Sequence, residues 1–231
     1  MTKSVNNPVS VIILTHRHDR RFVQALASAQ PADEVLVIDF DSQNNWPSLS
    51  KQFQFKKIDR CESLKNFSVE RNAAMKKAKH DWVFFLDSDE EIDSSSWKEI
   101  RELVKRIDIN GVLINRRDIF YGKILRFGET GKVKLIRLMK KQVSQFTRPV
   151  HEIAQIKGKV VSSRISLLHF AHQNIAEFFQ DISYYAQLEA EYQQDYLLNN
   201  FRLGLKTINY PVGKFCQNFF GKLGFLDGWR G

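Results

Sequence analysis

With 231 residues, 43% of them hydrophobic, the chain can bury one substantial core, and no run of about 18 apolar residues offers a membrane-spanning helix. Cys61 and Cys216 make neither a CxxC zinc spacing nor a disulfide framework, which fits a reducing cytoplasm. The net charge of +9 draws the chain toward something anionic, yet no arginine-rich stripe or recognised nucleic-acid module is present, so nucleic acid is not an expected partner.

In chain order, the opening MTKSVNNPVSVIILT is too polar-flanked and its apolar run too short for a signal peptide; VSVIILT (9–15) reads as a strand. RRFVQALASA (20–29) has helical spacing, EVLVID (34–39) is a second strand and FQFKKI (53–58) a shorter third. A helix over 68–78, SVERNAAMKKA, takes Asn66 or Ser68 as its cap and leads into WVFFLD (82–87), whose unbroken apolar run marks a strand buried on both faces. Such alternation predicts a parallel sheet with right-handed crossovers.

The pattern then changes. SSSWKEIRELVKRI (94–107) is an amphipathic helix, but GVLINRRDIFYG, KVKLIRLMKK, HEIAQIKGKVV and ISLLHF are strand-like and joined by short turns, which predicts a mixed or antiparallel sheet. Asn174 and Glu177 stand in a capping-box relation ahead of a helix with one apolar stripe, Ile175, Phe178, Phe179, Ile182 and Ala186. Beyond it, residues 201–231 interleave Arg202, Lys206, Lys214, Lys222 and Arg230 with seven aromatic residues, a composition suited to an anionic membrane surface; docking on the core or a dimer contact is the alternative.

Chemistry concentrates at the strand ends. Asp87-Ser88-Asp89 can hold Mg2+ or Mn2+, which favour oxygen ligands and share themselves with substrate phosphates; the competing reading is that these acids cap the helix near Ser94. VIDFDS puts Asp39 and Asp41 at the rim of the same sheet, where open α/β folds bind ligands, and the helix before the acidic strand offers Arg71 to phosphate. Their alternatives are turn residues and a solvated helix face.

Taken in order, LTHRHD, DEVLVIDFDS and ERNAAMKKAKHDWVFFLDSDEEI resemble the nucleotide-sugar-binding half of glycosyltransferase family 2, closest to the lipopolysaccharide-core glucosyltransferase subgroup. The likeness is strong over 9–107 and continues through RPVHEI and LLHF to GFLDGWRG. It implies a GT-A-like α/β fold: a Rossmann-type, mostly parallel sheet with helices on both faces (1–107), a mixed-sheet acceptor half (108–172) and a C-terminal helical extension (173–231). It also implies that Thr15 and His16 line the nucleotide pocket, that Asp39 contacts the base, and that Arg71 stands near the phosphates. Asp87 would face ribose or sugar and share the metal with Asp89, with His169 as a further metal or diphosphate contact. Glu152 is the expected base, with His151 either orienting it or taking its place. Thr15-His16-Arg17 and DFDSQNN depart from the family's usual Thr-x-Asn and Asp-x-Gly-Ser-Thr-Asp, which changes the contacts available to the base.

The expectation is therefore an inverting, metal-assisted transferase. It would move sugar from a nucleotide-diphosphate sugar, UDP favoured, to a lipopolysaccharide-core or other lipid-linked glycan at the inner face of the cytoplasmic membrane. A nucleotidyltransferase would need a glycine-rich loop after its first strand, which LTHRHDRR lacks. A catalytically silent relative that binds nucleotide or anionic membrane is the remaining alternative.

Overall fold

The structure, a computed structural model, describes residues 7–16, 18–40, 46–60, 66–148, 152–172, 175–192 and 209–230. His151, Arg17, Asp41 and Asn174 lie outside them. Two compact units are formed, Met1–Arg116 with Lys134–His169, and Arg117–Val133 with Phe170–Gly231.

The first unit is built on a sheet in which β1 (Val9–Thr15) pairs in parallel with both β2 (Glu34–Asp39) and β4 (Trp82–Asp87), while β3 (Lys56–Asp59) extends β2 in parallel. Beyond β4 the pairing turns antiparallel at β8 (Val133–Lys140), and the order continues through β6 (Gly111–Phe120) and β11 (Val160–His172) to β5 (Glu90–Ile92). A separate ladder joins β9 (Ser144–Thr147) to β10 (Ile153–Ile156). The sheet is thus parallel where the nucleotide half was expected and mixed beyond it.

Alternation along the strands explains the layers. Val9, Val11, Ile13, Val35, Val37, Trp82, Phe84 and Leu86 pack on one face with α1 (Arg20–Ala29) and α4 (Ser96–Leu103); Ile12, Leu14, Leu36, Ile38, Val83 and Phe85 pack on the other with α3 (Phe67–Lys77). Both faces of β1, β2 and β4 are covered, so these strands are apolar at nearly every position, and the buried Ser10 hydroxyl is satisfied by Glu34. Full burial of such a side chain stabilises by roughly 1.5–3 kcal/mol, which makes β1 and β4 the least negotiable elements of the unit.

Four of these elements differ from expectation. Residues 46–52 form a helix, α2 (Trp46–Gln52), and β3 starts only at Lys56; Phe53 and Phe55, read as strand residues, pack instead against the core beside Trp46. β5 arises from Glu90–Ile92, where two acids hid a strand, because β11 supplies its antiparallel partner in the register Glu90 to His169. α4 spans only Ser96–Leu103: the Asp93 side chain accepts from the Ser95 backbone N–H and hydroxyl and sets its start, and Ile107, 91% exposed, lies past its end.

In the second unit β7 (Lys123–Ile124) pairs with Ile119 and Phe120. α5 (Ile175–Tyr192) confirms the last expected helix, and residues 209–216 are helical and run into the π-helical turn Gln217–Gly221. The following GFLDGWR segment is held by Asp227, whose buried carboxylate accepts from the Arg126 and Phe127 N–H groups at 2.7 and 2.8 Å. Glu129 receives Lys214 and Lys222 at 2.6 and 3.2 Å. Among the described residues, no helix is long and apolar enough to cross a membrane.

Candidate active site

Parallel register lines up the carboxyl ends of the strands: Thr15 lies beside Asp39, Asp39 beside Asp59, and Leu14 beside Asp87. Thr15 and Asp39 are buried, while His16 is exposed at the start of the loop after β1. Asp39 Oδ2 accepts from Trp46 Nε1 at 2.9 Å, and its Oδ1 lies 3.7 Å from His18 Nε2. His18 in turn stacks on Phe22 and meets the Trp46 ring edge-on at 4.0 Å. Sequence reasoning missed both His18 and Trp46. The signal for Trp46 was Pro47, which favours the first turn of a helix and places the indole over β2.

α3 carries Arg71 inward because residues 71, 74, 75 and 78 share one face, the others being Ala74, Met75 and Ala78 of the core. The guanidinium lies 5.3 Å from the Phe85 ring centroid and 5.5 Å from that of Phe146. From there Nη2 donates to Asp87 Oδ1 at 2.6 Å and Nε faces Glu152 Oε1 at 2.7 Å. Its buried Nη1 makes no hydrogen bond among the described residues, which leaves a donor for a ligand oxygen. Arg71 therefore joins the expected donor-side acid to the expected base.

A second guanidinium was not anticipated. Arg137 of β8 donates through Nη2 to Asp87 Oδ2 and, at 2.8 Å, to Glu90 Oε1, while Glu90 Oε2 accepts the Asp87 backbone N–H at 3.1 Å. Burial opposes ionisation of Asp87, but the charges of Arg137 and then Arg71 outweigh it and hold the carboxyl far below the usual range. For Glu90, which is fully buried, desolvation outweighs Arg137 and the carboxyl is pushed up.

Asp89 follows on the turn between β4 and β5, with Oδ2 3.5 Å from His169 Nε2. Burial tends to raise its pKa, yet the hydrogen bond and charge of His169 bring it below the ordinary value. The register of β5 with β11 creates this pair by setting His169 opposite Glu90.

A carboxylate and an imidazole are fitting donors for Mn2+ or Mg2+, although among the described residues no group of three or more His, Cys, Asp or Glu side chains is arranged to hold a metal. Asp89 and His169 would thus supply part of a coordination shell, with the remainder from diphosphate and water. Asp87 fits poorly as a ligand. Both its oxygens carry guanidiniums, and like charges a few ångströms apart repel by about 4 kcal/mol at an effective dielectric near 20.

A family model described as Glycosyl transferase family 2 matches residues 10–157. The chain belongs to that family. Its matched segment takes in Thr15, Asp39, Arg71, Asp87, Asp89, Arg137 and Glu152, and stops short of His169. A TPR repeat-containing protein of Synechococcus elongatus is 26% identical over 63% of this chain, which spans only 35% of that relative's length. The lipopolysaccharide core biosynthesis glycosyltransferase LpsC of Rhizobium meliloti is 22% identical over 80% of this chain and 72% of its own. Staphylococcus aureus TarS, solved with UDP-GlcNAc, superposes with a TM-score of 0.51 at 14% identity, covering 79% of this chain and 66% of that one. The superposition establishes the GT-A fold.

Proposed function

We propose that the chain is an inverting glycosyltransferase that moves a sugar from a nucleotide-diphosphate sugar, a UDP-sugar favoured, to a lipopolysaccharide-core or other lipid-linked glycan. The observation that carries this reading is the bridge made by Arg71, one guanidinium holding Asp87 of the nucleotide edge and Glu152 on the acceptor side. The UDP-GlcNAc bound to TarS supports the donor class, and the role of LpsC in lipopolysaccharide core biosynthesis supports the acceptor class.

In the reaction the acceptor oxygen attacks the anomeric carbon, the bond to the donor phosphate breaks, and its electron pair leaves with the nucleoside diphosphate. Glu152 takes the hydroxyl proton, with His151 orienting it or acting in its place. Arg71 faces the developing negative charge, using the donor that its present contacts leave open. Asp39 and Thr15 with His16 bind the nucleoside, and Asp87 accepts from ribose or sugar hydroxyls. Mn2+ or Mg2+ on Asp89 and His169, when bound, would neutralise charge on the leaving diphosphate. The aromatic surface of the second unit would keep the protein peripheral on the anionic inner face of the cytoplasmic membrane, where such acceptors reside.

Thermal unfolding against a panel of nucleoside diphosphates, each with and without Mn2+, tests this. One nucleotide should stabilise by roughly 2.7 kcal/mol at a hundredfold excess over its dissociation constant, and more with Mn2+. Asp89→Asn should remove the Mn2+ increment. Glu152→Gln should keep nucleotide binding and lose sugar transfer by at least about a hundredfold. A flat response to every nucleotide would overturn the reading.

A further inference from the structure

Arg137 carries none of the roles assigned above, yet it ties the ends of three strands together. It is 7% exposed on β8, between the core residues Leu138 and Met139 on one side and the partly buried Ile136 on the other. Its Nη2 reaches both Asp87 on β4 and Glu90 on β5, and Glu90 closes the triangle by accepting the Asp87 N–H. Arg137 Nε makes no hydrogen bond among the described residues, so these two carboxylates are what orient the side chain.

The consequence falls on Asp87. Each of its oxygens meets one guanidinium, Oδ1 that of Arg71 and Oδ2 that of Arg137. A carboxylate oxygen has two acceptor sites, so each keeps one for a hydroxyl donor. A cation would instead stand against both guanidiniums. Two residues on, Asp89 meets no guanidinium at hydrogen-bonding distance among the described residues and faces His169. The acidic edge is thereby divided between two tasks.

We propose that Arg137 is a positioning residue: by bridging Asp87 and Glu90 it sets the Asp87 carboxylate as a hydroxyl acceptor for the donor and withholds it from the cation, which is left to Asp89 and His169. The proposal rests on the glycosyltransferase reading of the same site.

Calorimetric titration of the full chain with UDP, followed by Mn2+ titration at saturating UDP, separates the two tasks. Arg137→Met should weaken UDP on the order of tenfold, the cost expected from misplacing a charge-assisted contact, while the half-saturating Mn2+ concentration stays within about twofold. Arg137→Lys, which restores the charge, should recover part of the UDP affinity. Asp89→Asn should give the reverse pattern. Glu90→Gln breaks the bridge from the opposite side and should reproduce Arg137→Met, which covers the case in which that variant does not fold. UDP affinity unchanged in Arg137→Met or Glu90→Gln would make the bridge merely structural and overturn the proposal. So would a rise in the Mn2+ requirement matching that of Asp89→Asn, since Asp87 would then be holding the cation. If the unaltered chain binds none of UDP, GDP, CDP and TDP, the glycosyltransferase reading falls and takes this proposal with it.

Discussion

Asp87 and Glu90 share Arg137, and their carboxyls are displaced in opposite directions. The difference lies in what surrounds each: Asp87 meets two guanidiniums, whereas Glu90 meets one and is sealed from water. A carboxyl whose folded pKa is depressed contributes stability that is fully present above its unfolded value, near 3.9, and is lost as pH falls through the folded value. Asp87→Asn should therefore cost about 3 kcal/mol at neutral pH, the low end for breaking a buried pair, because about a third of the Asp87 side chain remains exposed. Urea unfolding of both proteins at pH 7, 5 and 3 checks it. The gap should be equal at pH 7 and 5 and begin to close at pH 3; a gap that stays constant down to pH 3 would mean that the guanidiniums do not hold this carboxylate.

Among elements, α3 shows how little of a helix need be amphipathic if its few inward residues matter. Asn66 caps it by accepting from the Val69 N–H at 3.1 Å, and the inward face sets Arg71 over two phenyl rings. Asn66→Ala should destabilise the protein by about 1 kcal/mol, and Asn66→Asp should restore most of it, as measured by the urea midpoint at constant slope. An unchanged midpoint would show that α3 is positioned by packing alone. The cap was legible because Asn66 directly precedes a run of good helix formers, and β1, β2 and β4 were legible because an apolar run buried on both faces has few other readings. β5 was not: two of its three residues are acidic, and only pairing with β11, about 75 residues later, makes them a strand. Arg137 was hidden for a similar reason. In KVKLIRLMKK it stands among four lysines and reads as one more solvated charge, until the long-range contacts to Asp87 and Glu90 turn it inward.

For the whole molecule, the distribution of exposed apolar side chains separates the two units. In the first, the exposed large hydrophobic residues among those described are Val69, Ile107 and Ile153; the second exposes Phe178, Phe179, Phe215, Phe220, Phe225 and Trp229 besides others. The described basic residues of the tail are less available than sequence suggested, since Lys214 and Lys222 both pair with Glu129 and the Arg230 guanidinium lies 4.8 Å from the Trp229 ring centroid, while Arg202 and Lys206 lie outside the described residues. Each basic residue near an anionic surface contributes roughly 1 kcal/mol, and an internal carboxylate offsets part of that. Aromatic insertion should then outweigh charge in attaching the protein to a bilayer. Co-sedimentation should show binding to vesicles containing phosphatidylglycerol that weakens only about threefold between 50 and 300 mM salt, because few net charges are engaged. Phe215→Ser with Phe220→Ser should reduce binding by more than tenfold, and Lys214→Gln by less than about threefold. Binding that collapses with salt while tolerating the double phenylalanine substitution would reverse the ranking of the two forces. No binding to either anionic or neutral vesicles would leave the exposed aromatic surface to a protein partner instead.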